Sequence, residues 1–358
     1  MGAFEVRALR GADAAAMAAL GARPEVVRFG EHPPEPGEAW AIERIGDGGP
    51  DLGGMLGAFR GGRLIAAGLL RRRARPRAHH AARLWLYGGE ESGTLREALG
   101  EIVDRLLDAA DRWSNVVRCD ARCAFDDPRV SELLLPRGFV EEAVLRGGLL
   151  RDGVAVDERW LGRLRPGWIA PPPPGEPRPP TVPPRGEQAP SMHIRRMTPD
   201  DADAMHALMT SPSVVWGTLQ SPLQSPDHWR RLLSRQATSA DCLLCAEVDG
   251  VLAGNCGVHG AASARREHAA SLGMGVDPRF QGMGVGGALL DAVLALADGE
   301  LGLSRVDLEV YEDNERGLRL YEGRGFVREG IRRAAAFRDG RFVDNVLMAR
   351  VTRGGQRA

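Results

Sequence analysis

The chain has 358 residues, 43% of them hydrophobic and only 5% aromatic, with a formal net charge of −1. That length makes room for two domains or three, with cores built from Leu, Val, Ala and Met rather than from rings. The balanced charge excludes a nucleic-acid partner from the expectations, because no face or tail concentrates the Lys and Arg that would release many counterions.

In chain order, Met1–Arg10 lacks the apolar core of a secretion signal. Val6 stands where a myristoylation site needs Ser or Thr. No apolar run approaches the ~18 residues of a bilayer span, so no membrane partner is expected and the reading is cytoplasmic. Arg71–Arg77 (RRRARPR) is the one basic cluster and reads as a solvated strand end or hairpin. The five cysteines, at positions 119, 123, 242, 245 and 256, form no disulfide framework. Cys242 and Cys245 share a C-x-x-C spacing, but in a strand-like run their side chains point to opposite faces. Without a second pair to complete a zinc site they read as buried thiols, and no metal is expected.

Pro166–Pro190 holds 11 of the 24 prolines. Such a stretch forms neither helix nor central strand and predicts a semi-rigid spacer. It divides the chain into residues 1–165, a spacer at 166–191 and residues 192–353.

In the second part, Met192–Met197 predicts a strand. Thr198 caps a helix with Pro199 at its first position and Asp200 and Asp201 in its first turn. Ser225 caps a second helix, Pro226–Gln236. Asp241–Val248 and Val251–His259 flank Asp249-Gly250, a strong hairpin signal. His268–Val276 predicts a strand, and Val285–Ala297 a helix with Ala288, Leu289, Val293 and Leu296 on one stripe. Arg305–Tyr311 alternates as a strand, Glu315–Glu322 is helical, and Phe337 and Phe342 flank a second Asp-Gly turn. The pattern is α/β with a mostly antiparallel mixed sheet flanked by helices.

The first part repeats the second. At an offset of 188, Val6-Arg7 meets Ile194-Arg195, Met17 meets Met205, and His80-Ala81-Ala82 meets His268-Ala269-Ala270. Near the end the offset is 187, where Gly138-Phe139-Val140 meets Gly325-Phe326-Val327 and Arg151-Asp152-Gly153 meets Arg338-Asp339-Gly340. Matches over a whole domain at a nearly fixed offset predict two tandem copies of one fold, a pseudo-dimer within one chain.

The chemistry centres on Gln281-Gly-Met-Gly-Val-Gly-Gly287. Glycines at the mouth of a helix let backbone N–H groups close on an anion, and the helix N-terminus adds about half a positive charge. The run satisfies the letters G-x-G-x-x-G, but Asp277–Gln281 intervenes after the strand and hairpin-linked strands precede it, which is the wrong context for a dinucleotide site. It lacks the Lys-Ser/Thr of a nucleotide P-loop.

The run does fit Q/R-x-x-G-x-G/A, and with LEVYEDNERGLRLYEGRGF after it, residues 192–351 resemble the GNAT acetyltransferases. Within that family they resemble most the bacterial L-amino-acid N-acetyltransferases, in Thr218-Leu219-Gln220 and in the ending Phe337–Val351. The resemblance implies acetyl-CoA as co-substrate. It implies that backbone at Met274, Gly275 and Val276 pairs with the pantetheine arm. It further implies that Gln281 and the N–H groups of Gly282, Met283, Gly284, Val285, Gly286 and Gly287 hold the pyrophosphate, and that Asn314 bonds near the pantetheine. Tyr321 would face the thioester sulfur. Glu309 shares the polar face of its strand with Asp307 and is a candidate general base; some ribosomal-protein acetyltransferases carry a Glu there.

The implied reaction is acetyl transfer to the primary amine of a small molecule, an amino acid or related amine. Alternatives are transfer to a protein or peptide, transfer to an aminoglycoside, or a non-catalytic acetyl-CoA sensor. In the first copy the motif disappears. With its loop aligned two residues shorter, Gln281 meets Glu91, Gly284 meets Thr94 and Gly286 meets Arg96, while Tyr321 meets Leu134 and Asn314 meets Asp127. Glu90 and Glu91 would repel a pyrophosphate, so the first copy is expected to fold without binding acetyl-CoA. This resembles the two-copy arrangement of the mycothiol synthases. The chain as a whole is expected to be a monomer or a homodimer.

Overall fold

The computed structural model describes residues 4–23, 26, 36–46, 54–73, 76–88, 92–172, 191–220, 223–236, 241–260 and 263–352. Most of the proline spacer, Glu90 and Glu91, and residue 353 lie outside them. The first copy runs β1 (Glu5–Ala8), α1 (Ala14–Gly21), α2 (Glu38–Gly46), β2 (Leu56–Arg60), β3 (Arg63–Arg72), β4 (Ala81–Gly88), α3 (Gly93–Trp113), β5 (Arg118–Ala124), α4 (Pro128–Leu134), β6 (Val140–Arg151) and β7 (Val154–Leu164). Among the described residues the second follows that order with one more short helix, α6: β8 (Met192–Arg196), α5 (Ala202–Met209), α6 (Pro212–Gly217), α7 (Pro226–Gln236), β9 (Cys242–Val248), β10 (Val251–Gly260), β11 (Ala269–Val276), α8 (Val285–Gly299), β12 (Arg305–Tyr311), α9 (Glu315–Glu322), β13 (Val327–Arg338) and β14 (Arg341–Val351).

Local chemistry accounts for the boundaries. The Asp-Gly pairs turn because both residues adopt positive φ, 52° and 78° at Asp249-Gly250 and 49° and 71° at Asp339-Gly340, as a two-residue hairpin requires. Thr198 and Asp201 do form the reciprocal cap, but the first turn, Pro199–Asp201, is a 3-10 turn before α5 begins. Asp201 also pairs with Arg195 at 2.7 Å, which tightens that entry.

Each copy has its own core between its sheet and its long helix. Ile102 and Leu106 of α3 pack on Leu70, Leu84 and Leu161; Leu289 and Val293 of α8 pack on Ala253, Val258 and Val306. The α/β class with two tandem copies is borne out. What the sequence did not announce is that the two half-sheets join. The order is β1-β2-β3-β4-β5-β7-β6-β13-β14-β12-β11-β10-β9-β8, one sheet of 14 strands.

The seam is the antiparallel meeting of β6 and β13, with Ala143 opposite Gly330. These are equivalent residues of the two copies, so a pseudo-twofold axis passes between them. A Cβ at Gly330 would collide with the Glu142 carbonyl and with Ala143, so the close approach needs glycine there.

Around the seam the contacts come in twofold pairs. His80 Nε2 donates to the Ala334 carbonyl at 2.8 Å, and His268 Nε2 to the Gly147 carbonyl at 2.8 Å. Arg118 reaches the Arg333 carbonyl and pairs with Glu142; Arg305 reaches the Arg146 carbonyl at 2.6 Å and pairs with Glu329 at 2.6 Å. Buried arginines of this kind are tolerable only because each meets a carboxylate and a carbonyl.

Candidate active site

β11 and β12 are parallel neighbours but pair only from Ala269–Ser271 to Arg305–Asp307. Beyond that they splay, and a cavity of about 690 Å³ opens between the end of β11, the start of α8 and α9. Met274, Gly275 and Val276 line it, as do Gln281, Gly282, Gly284, Gly286, Gly287, Asn314 and Tyr321. The predicted site residues are thus largely brought together. Met283 instead packs on the core, and Val285 is buried as the first residue of α8.

The loop is shaped by two glycines in the left-handed region, Gly282 at φ 83° and Gly284 at φ 87°. Gly284 is the N-cap of α8 and offers no side-chain hydrogen bond to the helix. The first N–H groups of α8 therefore lack the side-chain partner that ordinarily satisfies them, beside a cavity that can admit an anion. Gly275 is held close, since a Cβ there would sit 3.0 Å from Asn255 Oδ1 and 3.1 Å from Met209 Sδ.

Four arginines that the motif reading passed over, Arg316, Arg319, Arg324 and Arg338, also line the cavity. The spacing in ERGLRLYEGR puts Arg316 and Arg319 three apart on α9, a signal the sequence did carry. Arg316 donates to Gln281 Oε1 at 3.0 Å, while Gln281 Nε2 donates to the Val276 carbonyl at 3.2 Å. Gln281 thus latches the loop between β11 and α9. Arg324 pairs with Asp291 at 2.6 Å.

Asn314 caps α9, its Oδ1 accepting from Gly317 N at 2.9 Å. Tyr321 follows two turns later, edge-on to Phe326 at 5.7 Å between ring centres. Burial, with Cys256 close by, pushes its hydroxyl above the ordinary value near 10. It therefore keeps its proton across neutral pH and can donate to a nascent thiolate. The cysteines are poor nucleophiles, for burial raises Cys123 to about 12 and Cys245 to about 11.

Glu309 does not line this cavity. It stands on β12 just past the point of splay, and Oε2 accepts from Arg332 Nη1 at 2.7 Å and Asn345 Nδ2 at 3.1 Å. Its side chain is 25% exposed. Arg332 in turn reaches Asp120 of the first copy at 2.9 Å. Sequence spacing put Glu309 on the correct face but could not reveal this partner.

The helices correct the alignment of the two loops. Arg137–Asp104 at 2.7 Å repeats Arg324–Asp291, and a Cβ at Gly100 would meet Arg137 as one at Gly287 would meet Arg324. Gly100 is thus the equivalent of Gly287: from His80 to Gly100 the first copy has one residue more than the second has from His268 to Gly287, not two fewer, although its helix begins earlier and its loop proper is shorter. Leu99 then stands where Gly286 does, and Glu97 where Gly284 does. α3 begins at Gly93 and is capped by Ser92, whose side chain accepts from Leu95 N. An extra helical turn fills the place of the glycine loop, and a Cβ on Gly88 would be 3.0 Å from Leu99 Cδ1.

The model of the acetyltransferase (GNAT) family matches residues 203–326. The chain is 32% identical over 158 residues to L-amino acid N-acetyltransferase AaaT of Escherichia coli, a match covering 44% of this chain and 96% of that protein. The chain belongs to the GNAT acetyltransferase family. This acyltransferase is also 34% identical over 127 residues to mycothiol acetyltransferase of Propionibacterium freudenreichii, covering 36% of this chain and 40% of that one. It is 47% identical over 60 residues to N-alpha-acetyltransferase RimI of Mycobacterium tuberculosis, covering 17% and 35%. Among the described residues of the acetyltransferase, no helix is long and apolar enough to cross a membrane.

Proposed function

We propose that residues 192–353 transfer the acetyl group of acetyl-CoA to the neutral amine of a small molecule, an amino acid or a related amine. The observation that carries this is the cavity joining the uncapped start of α8 to Tyr321. The α8 N–H groups, helped by Arg316, Arg319 and Arg324, hold the pyrophosphate. The splayed edge of β11 at Met274–Val276 holds the pantetheine arm, and Asn314 bonds beside it.

The amine nitrogen attacks the thioester carbonyl carbon, and backbone N–H groups at the splay hold the developing oxyanion. The carbon–sulfur bond breaks, and the leaving thiolate accepts a hydrogen bond from the Tyr321 hydroxyl. The amine's proton passes through water to Glu309. Glu309 is held by Arg332 and Asn345 and does not line the cavity, so water is its natural intermediary.

A small acceptor suits the surroundings. The first copy covers the face that carries Asp307 and Glu309: Arg266 bridges Asp307 to Glu158 of the first copy at 2.9 Å each way. That cover leaves little room for a protein surface. The similarity to AaaT along 96% of its length supports an amino acid as acceptor. The first copy, residues 1–165, binds no acetyl-CoA in this reading, because Leu99 and the extra turn of α3 occupy the coenzyme's place.

The test is a thiol-release assay of the full chain with acetyl-CoA over the twenty L-amino acids, polyamines, an aminoglycoside and an N-terminal peptide. Turnover with at least one free amino acid is expected. Binding of acetyl-CoA without transfer to any amine would defeat the reading.

A further inference from the structure

We infer that Arg77 of the first copy is a positioning residue for the second copy's cavity, holding the wall at Trp216–Thr218 from across the seam. The inference takes its meaning from the acetyl-transfer reading, but the wall can be tested without it.

Trp216, Gly217 and Thr218 line the cavity opposite the glycine loop. α6 stops here, since Thr218 is extended at φ −133° and ψ 168°. The last carbonyls of a helix need donors from elsewhere, and two of them receive guanidinium groups. Arg338 Nη1 donates to the Trp216 carbonyl at 3.2 Å, with its guanidinium over the Trp216 and Tyr311 rings at 4.2 and 4.6 Å. The Thr218 carbonyl accepts from Tyr311 Oη at 2.9 Å and from Arg77 Nη1 at 3.2 Å. Arg77 Nη1 also lies 3.4 Å from Tyr311 Oη. Cations suit the negative end of a helix. Of these two, one belongs to the other copy, 141 residues away.

The repeat supplies a comparison. Arg265 is the equivalent of Arg77 and faces Arg151 and Asp152 of the first copy, the equivalents of Arg338 and Asp339. Where the second copy has Tyr311, the first has Ala124, which carries no hydroxyl. The arginine, tyrosine and carbonyl thus come together at the second copy's cavity.

The experiment is amide hydrogen exchange on the full chain, without ligand, comparing wild type with Arg77→Ala, Arg77→Lys and Tyr311→Phe. Losing one charge-assisted bond should raise exchange in residues 212–220 by about tenfold in Arg77→Ala. Arg77→Lys should recover part of the protection, since it keeps the charge and one donor direction. Tyr311→Phe should loosen the same segment. Unchanged exchange in 212–220, or a rise spread equally over both copies, would overturn the inference. Failure to acetylate any amine would sink the functional reading without altering this result.

Discussion

Leu99 of the first copy stands where Gly286 stands in the second. The two positions belong to equivalent helices with equivalent arginine–aspartate staples, yet one fills a groove and the other leaves it open. On the proposed reading, the difference between a copy that binds coenzyme and one that does not comes down to a few atoms at the mouth of a helix.

That makes Gly286→Leu a direct test. A Cβ at Gly286 has only ordinary contacts, none nearer than 3.5 Å, and replacing a helical glycine gains about 0.8 kcal/mol of helix propensity. The melting temperature should hold or rise while calorimetric binding of coenzyme A disappears. Retained affinity would mean that the coenzyme does not lie against α8.

Tyr321→Phe should lower kcat about tenfold to a hundredfold with the KM for acetyl-CoA little changed. Because burial raises the Tyr321 pKa, its proton is lost only above the ordinary value near 10. So kcat should show no alkaline fall due to Tyr321 below pH about 10. The same shift works on stability: it is fully present below pH about 10 and lost above it, as the unfolded tyrosine ionises first. Turnover of the Phe variant equal to wild type would remove Tyr321 from the mechanism.

Asp120 ties the copies together and should be the costliest residue of the seam to neutralise. Burial alone would raise its carboxyl, but Arg118, Arg332 and Arg73 outweigh that and hold it well below the usual carboxylate range. Asp120→Asn takes a shared carboxylate from two buried cations, Arg118 and Arg332, and from half-buried Arg73, and should cost about 3–5 kcal/mol, read as a large fall in melting temperature. A loss under about 1 kcal/mol would show that water reaches the seam and screens it.

Acid should loosen the seam in two steps. Burial lowers the pKa of His80, despite its bond to the Ala334 carbonyl. Its contribution is complete above its ordinary value of 6.5 and is lost as pH falls below that. Asp120, whose pKa is also lowered, contributes above the usual carboxylate range and gives way only at much lower pH. A fall in melting temperature between pH 7 and 5 is expected, and His80→Gln should flatten it. An equal fall in the variant would assign it elsewhere.

The sequence carried more of the second copy than of the whole. Asp249-Gly250 and Asp339-Gly340 announce their hairpins because the turn chemistry is local, and Glu315–Glu322 matches the observed helix residue for residue. The glycine loop is legible for the same reason, whereas Tyr321 enters only through the family resemblance; the two line one cavity. Glu309 was found but not its bond to Arg332, and Arg77 was read as a solvated strand end, because both depend on residues distant in the chain. The loop alignment needed correcting because the apolar stripe Ile102 and Leu106 against Leu289 and Val293 holds a constant offset of 187 through the helix.

The junction of Ala143 with Gly330 has a consequence for how such a molecule can change. Two identical subunits meeting there would receive every substitution twice, so a leucine that closes one groove would close both. Carried on a single chain, the halves are free to drift apart. One can surrender its chemistry and keep its shape, becoming a permanent wall for the other, and even the residue on the axis can differ, alanine on one side and glycine on the other.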